Sequence, residues 1–306
     1  MWLTLAFISA LLLGLYDASK KHSLRDNAVI PILFLNTLFC ALIFIPIIIL
    51  SAAGTIPADS QYYVPSPVWA DHKYILIKSA LVLSSWILGY YALKQLPLTT
   101  AGPINATRPV MTLIGALLIY GENLNGWQWA GVIIAIVSVF FMSRSGRREG
   151  ITFTHNRWIY FLFAAAALGA ASGLFDKHLM SPKDAGGLGI NKMAVQGWYN
   201  VYQAIMMGTV LLVIWWPKRK SGTPFRWRHS IVFISIFLTA ADFVYFYALT
   251  YPDAMISVVS MVRRGSVVIS FLCGALFFRE KNLKSKSFDV ALVLIGLACL
   301  WIGTTR

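Results

Sequence analysis

Apolar residues occur along this chain in long continuous blocks, divided by short polar turns. The blocks run approximately 2–20, 28–51, 74–93, 97–120, 127–143, 158–179, 193–216, 230–250, 254–278 and 288–303. Each is close to the ~20 residues that a helix rising about 1.5 Å per residue needs to cross a hydrocarbon core about 30 Å thick. A membrane barrel would show short alternating segments instead, and in lipid the helix is the remaining way to satisfy every backbone group. The pattern predicts an all-α integral membrane protein of ten transmembrane helices. No stretch is left for a separate soluble domain.

Composition agrees with this reading. Of 306 residues 58% are hydrophobic and 12% charged, whereas soluble domains carry about a quarter charged residues. Block 1 has no basic leader before Trp2, and a similar segment recurs at 158–179, so it reads as a retained helix rather than a secretory signal. Cys40, Cys273 and Cys299 lie inside apolar blocks as small hydrophobes, without a disulfide framework or metal-ligand spacing. No cofactor or metal is expected.

The net charge of +14 would suggest nucleic acid in a soluble domain. Here most Lys and Arg sit in short connections, where they set orientation and meet anionic lipid. The expected partners are a small-molecule substrate and membrane lipid, not nucleic acid, and the chain is expected to act as a monomer or homodimer. The odd-numbered connections hold 17 of the 26 Lys and Arg, while the even-numbered side with the termini holds five. The positive-inside rule then puts the odd connections in the cytoplasm and both termini outside. A bacterial cytoplasmic (inner) membrane is the expected location.

The chain also repeats itself. Gly14-Leu15-Tyr16-Asp17 matches Gly173-Leu174-Phe175-Asp176 at a spacing of 159, and Tyr91-Ala92-Leu93 matches Tyr247-Ala248-Leu249 at 156. "GALLIYGENL" (115–124) resembles "GALFFREKNL" (274–283), with Glu122 and Glu280 158 apart. Residues 1–150 and 151–306 thus form two repeats of five helices each, within one integrated membrane domain. Five is odd, so the second copy enters the membrane in the opposite sense. Inverted repeats of this kind belong to secondary transporters that alternate access around a site near the midplane.

On these residues the chain resembles the drug/metabolite transporter superfamily, in its EamA-like ten-helix branch. The resemblance covers nearly the whole chain. It rests on the repeat, on the small-aromatic pattern around Gly14 and Gly173, and on "RPVMTLIGALLIYGENL" (108–124) with its second copy "RGSVVISFLCGALFFREKNL" (264–283), which lacks the proline. It implies a basket of ten helices around a central cavity lined mainly by helices 1, 3, 4, 6, 8 and 9. The cargo would be amino acids, nucleobases, sugars, phosphorylated metabolites or amphiphilic cations, depending on the branch. Family members usually keep both termini in the cytoplasm, against the charge count here. Many also lack the acidic-basic cluster that ends the first helix.

Charges inside the blocks need a reason, since each costs roughly 2.5–3.5 kcal/mol at the centre of a membrane helix on insertion scales. Arg108, Asp242, Arg263 and Arg264 all fall near mid-depth. Asp242 and the two arginines flank the turn "TYPD" (250–253) at equal distance, so an antiparallel hairpin sets them at one level. Adjacent helical residues point about 100° apart, so Asp242 can pair with one arginine only. Three arginines against one aspartate leave surplus positive charge. Guanidinium forks suit carboxylate or phosphate, so the inferred substrate is anionic or zwitterionic.

Asp17, with Lys20 and Lys21 three and four residues on, is a candidate coupling carboxylate beside Asp242. The two lysines can also be read as snorkelling to the headgroups. Asp176, Lys177 and His178 read as interfacial. Asn105, Tyr91 and Tyr245 are further candidates for the binding level. Asn36 and Asn200 suit interhelical hydrogen bonds, Trp127, Trp129, Trp215 and Trp216 interfacial anchoring, and Glu122 and Glu280 capping.

No enzyme is expected, because the five histidines are scattered without the paired spacing that metal or acid–base chemistry needs. "GGLG" (186–189) follows no strand and is not a phosphate loop. A carrier or exporter of cationic or neutral drug-like metabolites is the nearest alternative. A lipid-modifying enzyme or scramblase is the alternative of another class.

Overall fold

The computed structural model describes residues 2–120, 125–147, 155–180, 183, 186–248, 262–278, 280 and 283–305. Among these residues there are helices and turns and no strands. The helices are α1 (Trp2–Leu24), α2 (Val29–Ala52), α3 (Trp69–Gln95), α4 (Leu98–Ala106), α5 (Arg108–Tyr120), α6 (Gly126–Arg147), α7 (Arg157–Met180), α8 (Lys192–Val210, continued by a π-helical turn at Leu211–Trp215), α9 (Ser230–Ala248), α10 (Ser266–Leu276) and α11 (Leu283–Thr305). Among the described residues, five stretches are long and apolar enough to cross a membrane, namely Val29–Ala52, Trp69–Gln95, Arg157–Asp176, Lys192–Trp215 and Lys286–Gly303. Gly126–Ser138 and Ser230–Tyr245 are shorter apolar helices.

Block 4 is not one continuous helix. It breaks at Thr107 between α4 and α5, where Pro109 has no N–H to donate to the carbonyl four residues back. The Thr107 N–H and hydroxyl both turn back to the Ile104 carbonyl, at 3.1 and 2.7 Å, and α5 restarts on the Thr107 carbonyl. Pro109 then stands in the first turn of α5, where a missing N–H costs nothing. Block 9 carries a second break, a turn at Gly265 between helical residues 262–264 and α10. A Cβ on Gly265 would lie 2.8 Å from the Val262 carbonyl oxygen, so the bend requires glycine. The start of block 9 and the turn at 250–253 lie outside the described residues.

The helices pack mainly across the two halves of the chain: α1 on α9, α2 on α8, α3 on α7, α4 on α10 and α6 on α11. Direct contacts give the directions. Ser9 Oγ donates to the Ala241 carbonyl at 2.7 Å and Ser23 meets Ser230 at 2.6 Å, so α1 and α9 are antiparallel. Ser85 Oγ donates to the Ala165 carbonyl at 2.7 Å, and Lys78 pairs with Asp176, so α3 and α7 are antiparallel too. The main core gathers Leu33, Tyr90, Leu93, Ile104, Leu162 and Met207. Phe7, Leu118, Ile136, Leu212 and Phe277 project outward, an exterior suited to lipid rather than water.

Candidate functional site

Both helix breaks lie next to arginines, Arg108 at the start of α5 and Arg263-Arg264 just before Gly265. A break frees a backbone carbonyl or amide at depth, which is tolerated where protein or solvent-accessible polar groups surround it. Arg263 forms an ion pair with Asp242 of α9, the pairing expected from their common level. Its guanidinium also lies over the Tyr245 ring, 4.5 Å from the centroid, while its Nε is buried without a hydrogen-bond partner. Arg264, about 100° further round the helix, does not share the Asp242 ion pair. It stands within electrostatic reach of Arg108, Arg263, Tyr245 and Asp17, and has no hydrogen bond or ion pair among the described residues.

Arg108 is placed by a missing side chain. A Cβ on Gly169 of α7 would come within 2.7 Å of the Arg108 Cζ, so the guanidinium packs against the bare backbone there and would have to move aside for any larger residue. Its Nε is buried without a hydrogen-bond partner, and the nearby charged group of opposite sign is Asp17. Asp17, however, is already committed. Its carboxylate accepts from Lys20 Nζ at 2.8 Å and from Ser270 Oγ of α10 at 3.2 Å. Asn105 sits in the last turn of α4, one residue pair before the break, with its carbonyl receiving the Thr107 N–H. Tyr91 is half-buried and packs against the main core. Contacts join Arg263, Asp242 and Tyr245, electrostatics link Arg108 and Arg264 to Asp17, and Asn105 and Tyr91 stay in α4 and α3 with no contact to this group among the described residues.

Two readings of the basic and acidic residues change. Lys20 does not snorkel: α1 runs on to Leu24, and Lys20 is buried against Asp17 with its ammonium 4.1 Å from the Tyr16 ring centroid. Lys21 instead donates to the Leu93 and Leu96 carbonyls at 2.7 and 2.5 Å, satisfying the C-terminal end of α3. Asp176, at the end of the apolar span Arg157–Asp176, pairs with Lys78 of α3, which is buried beneath Tyr199. Sequence reasoning left Lys78 unexplained, since its partner is 98 residues away.

Asn36 makes the interhelical contact expected of it, accepting from Ser235 of α9 at 3.1 Å. Asn200 makes none among the described residues, and donates to the Gln196 carbonyl of its own helix at 2.9 Å. Glu280 caps, but caps another helix: its carboxylate accepts from the Leu98 N–H at 2.6 Å, the Thr99 N–H at 2.9 Å and the Thr99 hydroxyl at the start of α4. Lys286 Nζ reaches the same hydroxyl at 2.7 Å. Trp127, Trp129 and Trp216 are exposed near helix ends, as anchors would be. Glu122 lies outside the described residues.

An all-helical molecule with a lipid-suited exterior and paired and unpaired charges gathered at two helix breaks belongs to the class of polytopic membrane proteins. The model of the EamA-like transporter family matches residues 1–144 and 156–302, and the chain belongs to that family. It is therefore an integral membrane protein that transports small molecules, its family being one of transporters and not of enzymes. Comparison with curated proteins gives no match. One solved structure, titled only as the crystal structure of a protein, is similar with a TM-score of 0.62 at 16% identity, covering 98% of this chain and 97% of that one. At that identity the likeness speaks to the fold alone.

Proposed function

We propose that this protein is a secondary transporter that moves a small anionic or zwitterionic organic metabolite by alternating access between two inverted five-helix repeats, residues 1–150 and 151–306. The observation that carries the substrate class is the pair Arg108 and Arg264, one guanidinium at each helix break and neither with a carboxylate of its own among the described residues. Arg263, Asp242, Asp17, Asn105 and Tyr245 flank them, and Tyr91 is the outlying member. Asp17 and Asp242 are the coupling carboxylates of this scheme, because protonating either would release a buried cation, Lys20 or Arg263, from its partner.

The inverted arrangement is supported by the way helices exchange partners. The pair α1·α9 has its counterpart in α3·α7, and α1·α10 in α5·α7, as a two-fold relation between halves requires. Lys21 reaches the end of α3, so α1 and α3 finish at one level, while α7 runs against α3. The second half thus starts in the sense opposite to the first. Ten crossings follow if the two broken helices each count as one.

A thermal-shift panel on the purified protein tests the substrate class. Carboxylates, phosphorylated compounds and amino acids are expected to raise the apparent Tm, since a ligand of the folded state stabilises it by mass action. A rise given by amphiphilic cations and by none of these would overturn the charge argument. The charge bias also puts the odd-numbered connections in the cytoplasm of a bacterial inner membrane. A reporter that works only in the cytoplasm is expected to stay silent when fused after Arg306, and activity there would reverse the orientation.

A further inference from the structure

The second half of α1 carries a charged cluster whose walls come from three helices. Helical spacing sets Tyr16 and Asp17 four and three residues before Lys20, on the same face of α1. The Lys20 ammonium lies 2.8 Å from an Asp17 oxygen and 4.1 Å from the Tyr16 ring centroid. Tyr90 of α3 adds a second ring, its centroid 5.3 Å away. Lys20 is 8% exposed, Tyr16 7% and Tyr90 1%, so the ammonium has left water for two aromatic rings and one carboxylate. These are the surroundings that recognise an ammonium ion, because ring faces and a carboxylate both attract it, and more strongly once water is gone. An ordinary surface pair at this spacing has neither the burial nor a ring from a second helix.

One side of the cluster is less closed. The Asp17 side chain is 19% exposed, and its second oxygen accepts from Ser270 of α10 at 3.2 Å. Helix α10 comes this near because Gly14 of α1 has no Cβ, which would overlap Ile269. We infer that Tyr16, Asp17 and Tyr90 form a seat for a primary ammonium and that Lys20 is its tethered occupant, a specificity-determining residue that keeps amine-bearing molecules out of it. A tethered group competes at an effective concentration of at least about millimolar, so a free amine does not displace it. The seat is defined by these contacts and is independent of the anionic reading of the cargo, since it is read through an added amine.

The test empties the seat and offers it a free amine. Lys20→Ala deletes the side chain beyond Cβ, which has the atoms of n-propylammonium, and leaves Asp17 facing the gap. In the purified full-length protein this variant is expected to have a lowered Tm, because a largely buried carboxylate has lost its cation. Added n-propylammonium is expected to restore most of the loss by binding the folded state. It is also expected to bind Lys20→Ala at least about tenfold more tightly than the parent, read by titration calorimetry. n-Propanol and propionate, of like length but neutral or negative, are expected to do neither. Asp17→Asn/Lys20→Ala is expected to lose the response to the amine, and Lys20→Met, which refills the space with an uncharged chain, to show none. If Lys20→Ala folds only with n-propylamine in the growth medium, that rescue supports the seat, and failure to fold even then overturns the inference. So does an equal rise of Tm with n-propanol, equal binding of the amine by parent and variant, or no response because Arg108 or Arg264, the other cations within electrostatic reach of Asp17, has taken the place of Lys20.

Discussion

Arg264→Gln is expected to yield a protein that is at least as heat-stable as the parent and transports little. The side chain makes no hydrogen bond or ion pair among the described residues and stands beside two other guanidiniums, so removing its charge relieves repulsion rather than breaking a contact. A substrate anion, in contrast, loses a charge-assisted bond of about 1.5–3 kcal/mol, equivalent to roughly a ten- to hundredfold loss in affinity. Stability that rises as function falls is the mark of a group retained for binding. The check is uptake into proteoliposomes beside a melting curve of the same preparation. Wild-type uptake with a lowered Tm would make Arg264 a packing residue.

Asp242→Asn is expected to do the reverse and damage the fold. Arg263 would be left buried without its carboxylate, in a group where Arg108 and Arg264 are already uncompensated. Removing one partner of a buried pair costs about 3–5 kcal/mol. The double variant Asp242→Asn/Arg263→Gln should recover most of that loss, because no orphan charge remains. Melting curves of both single variants and the double variant give the coupling directly. If the double variant is no more stable than Asp242→Asn, the ion pair is not what Asp242 contributes.

What could be read from the sequence followed from local rules. Long apolar blocks become helices because lipid offers the backbone no other partner, and the level of Asp242 relative to Arg263 followed from counting residues on either side of one turn. What could not be read depended on distant partners. Lys21 looks like a headgroup anchor until the carbonyls of Leu93 and Leu96 are brought to it by the end of α3. Asp176 has no visible partner until α7 lies against α3 and brings it to Lys78. The breaks were written locally, as Arg108-Pro109 and Arg264-Gly265, but a proline or glycine inside an apolar run is common enough in membrane helices to pass as a continuation. The close approach of Arg108 to α7 was invisible, because it is made where Gly169 carries no side chain.

The carboxylate of Glu280 belongs to the link between α10 and α11, yet the amides it holds open α4, in the other half of the chain. Around it, Lys286 and Lys21 tie α11 and α1 to the neighbouring helix ends. This is the extremity that carries the basic connections. On that side the two halves are therefore fastened to each other through one carboxylate that holds two backbone amides, a tie that a single side chain could release.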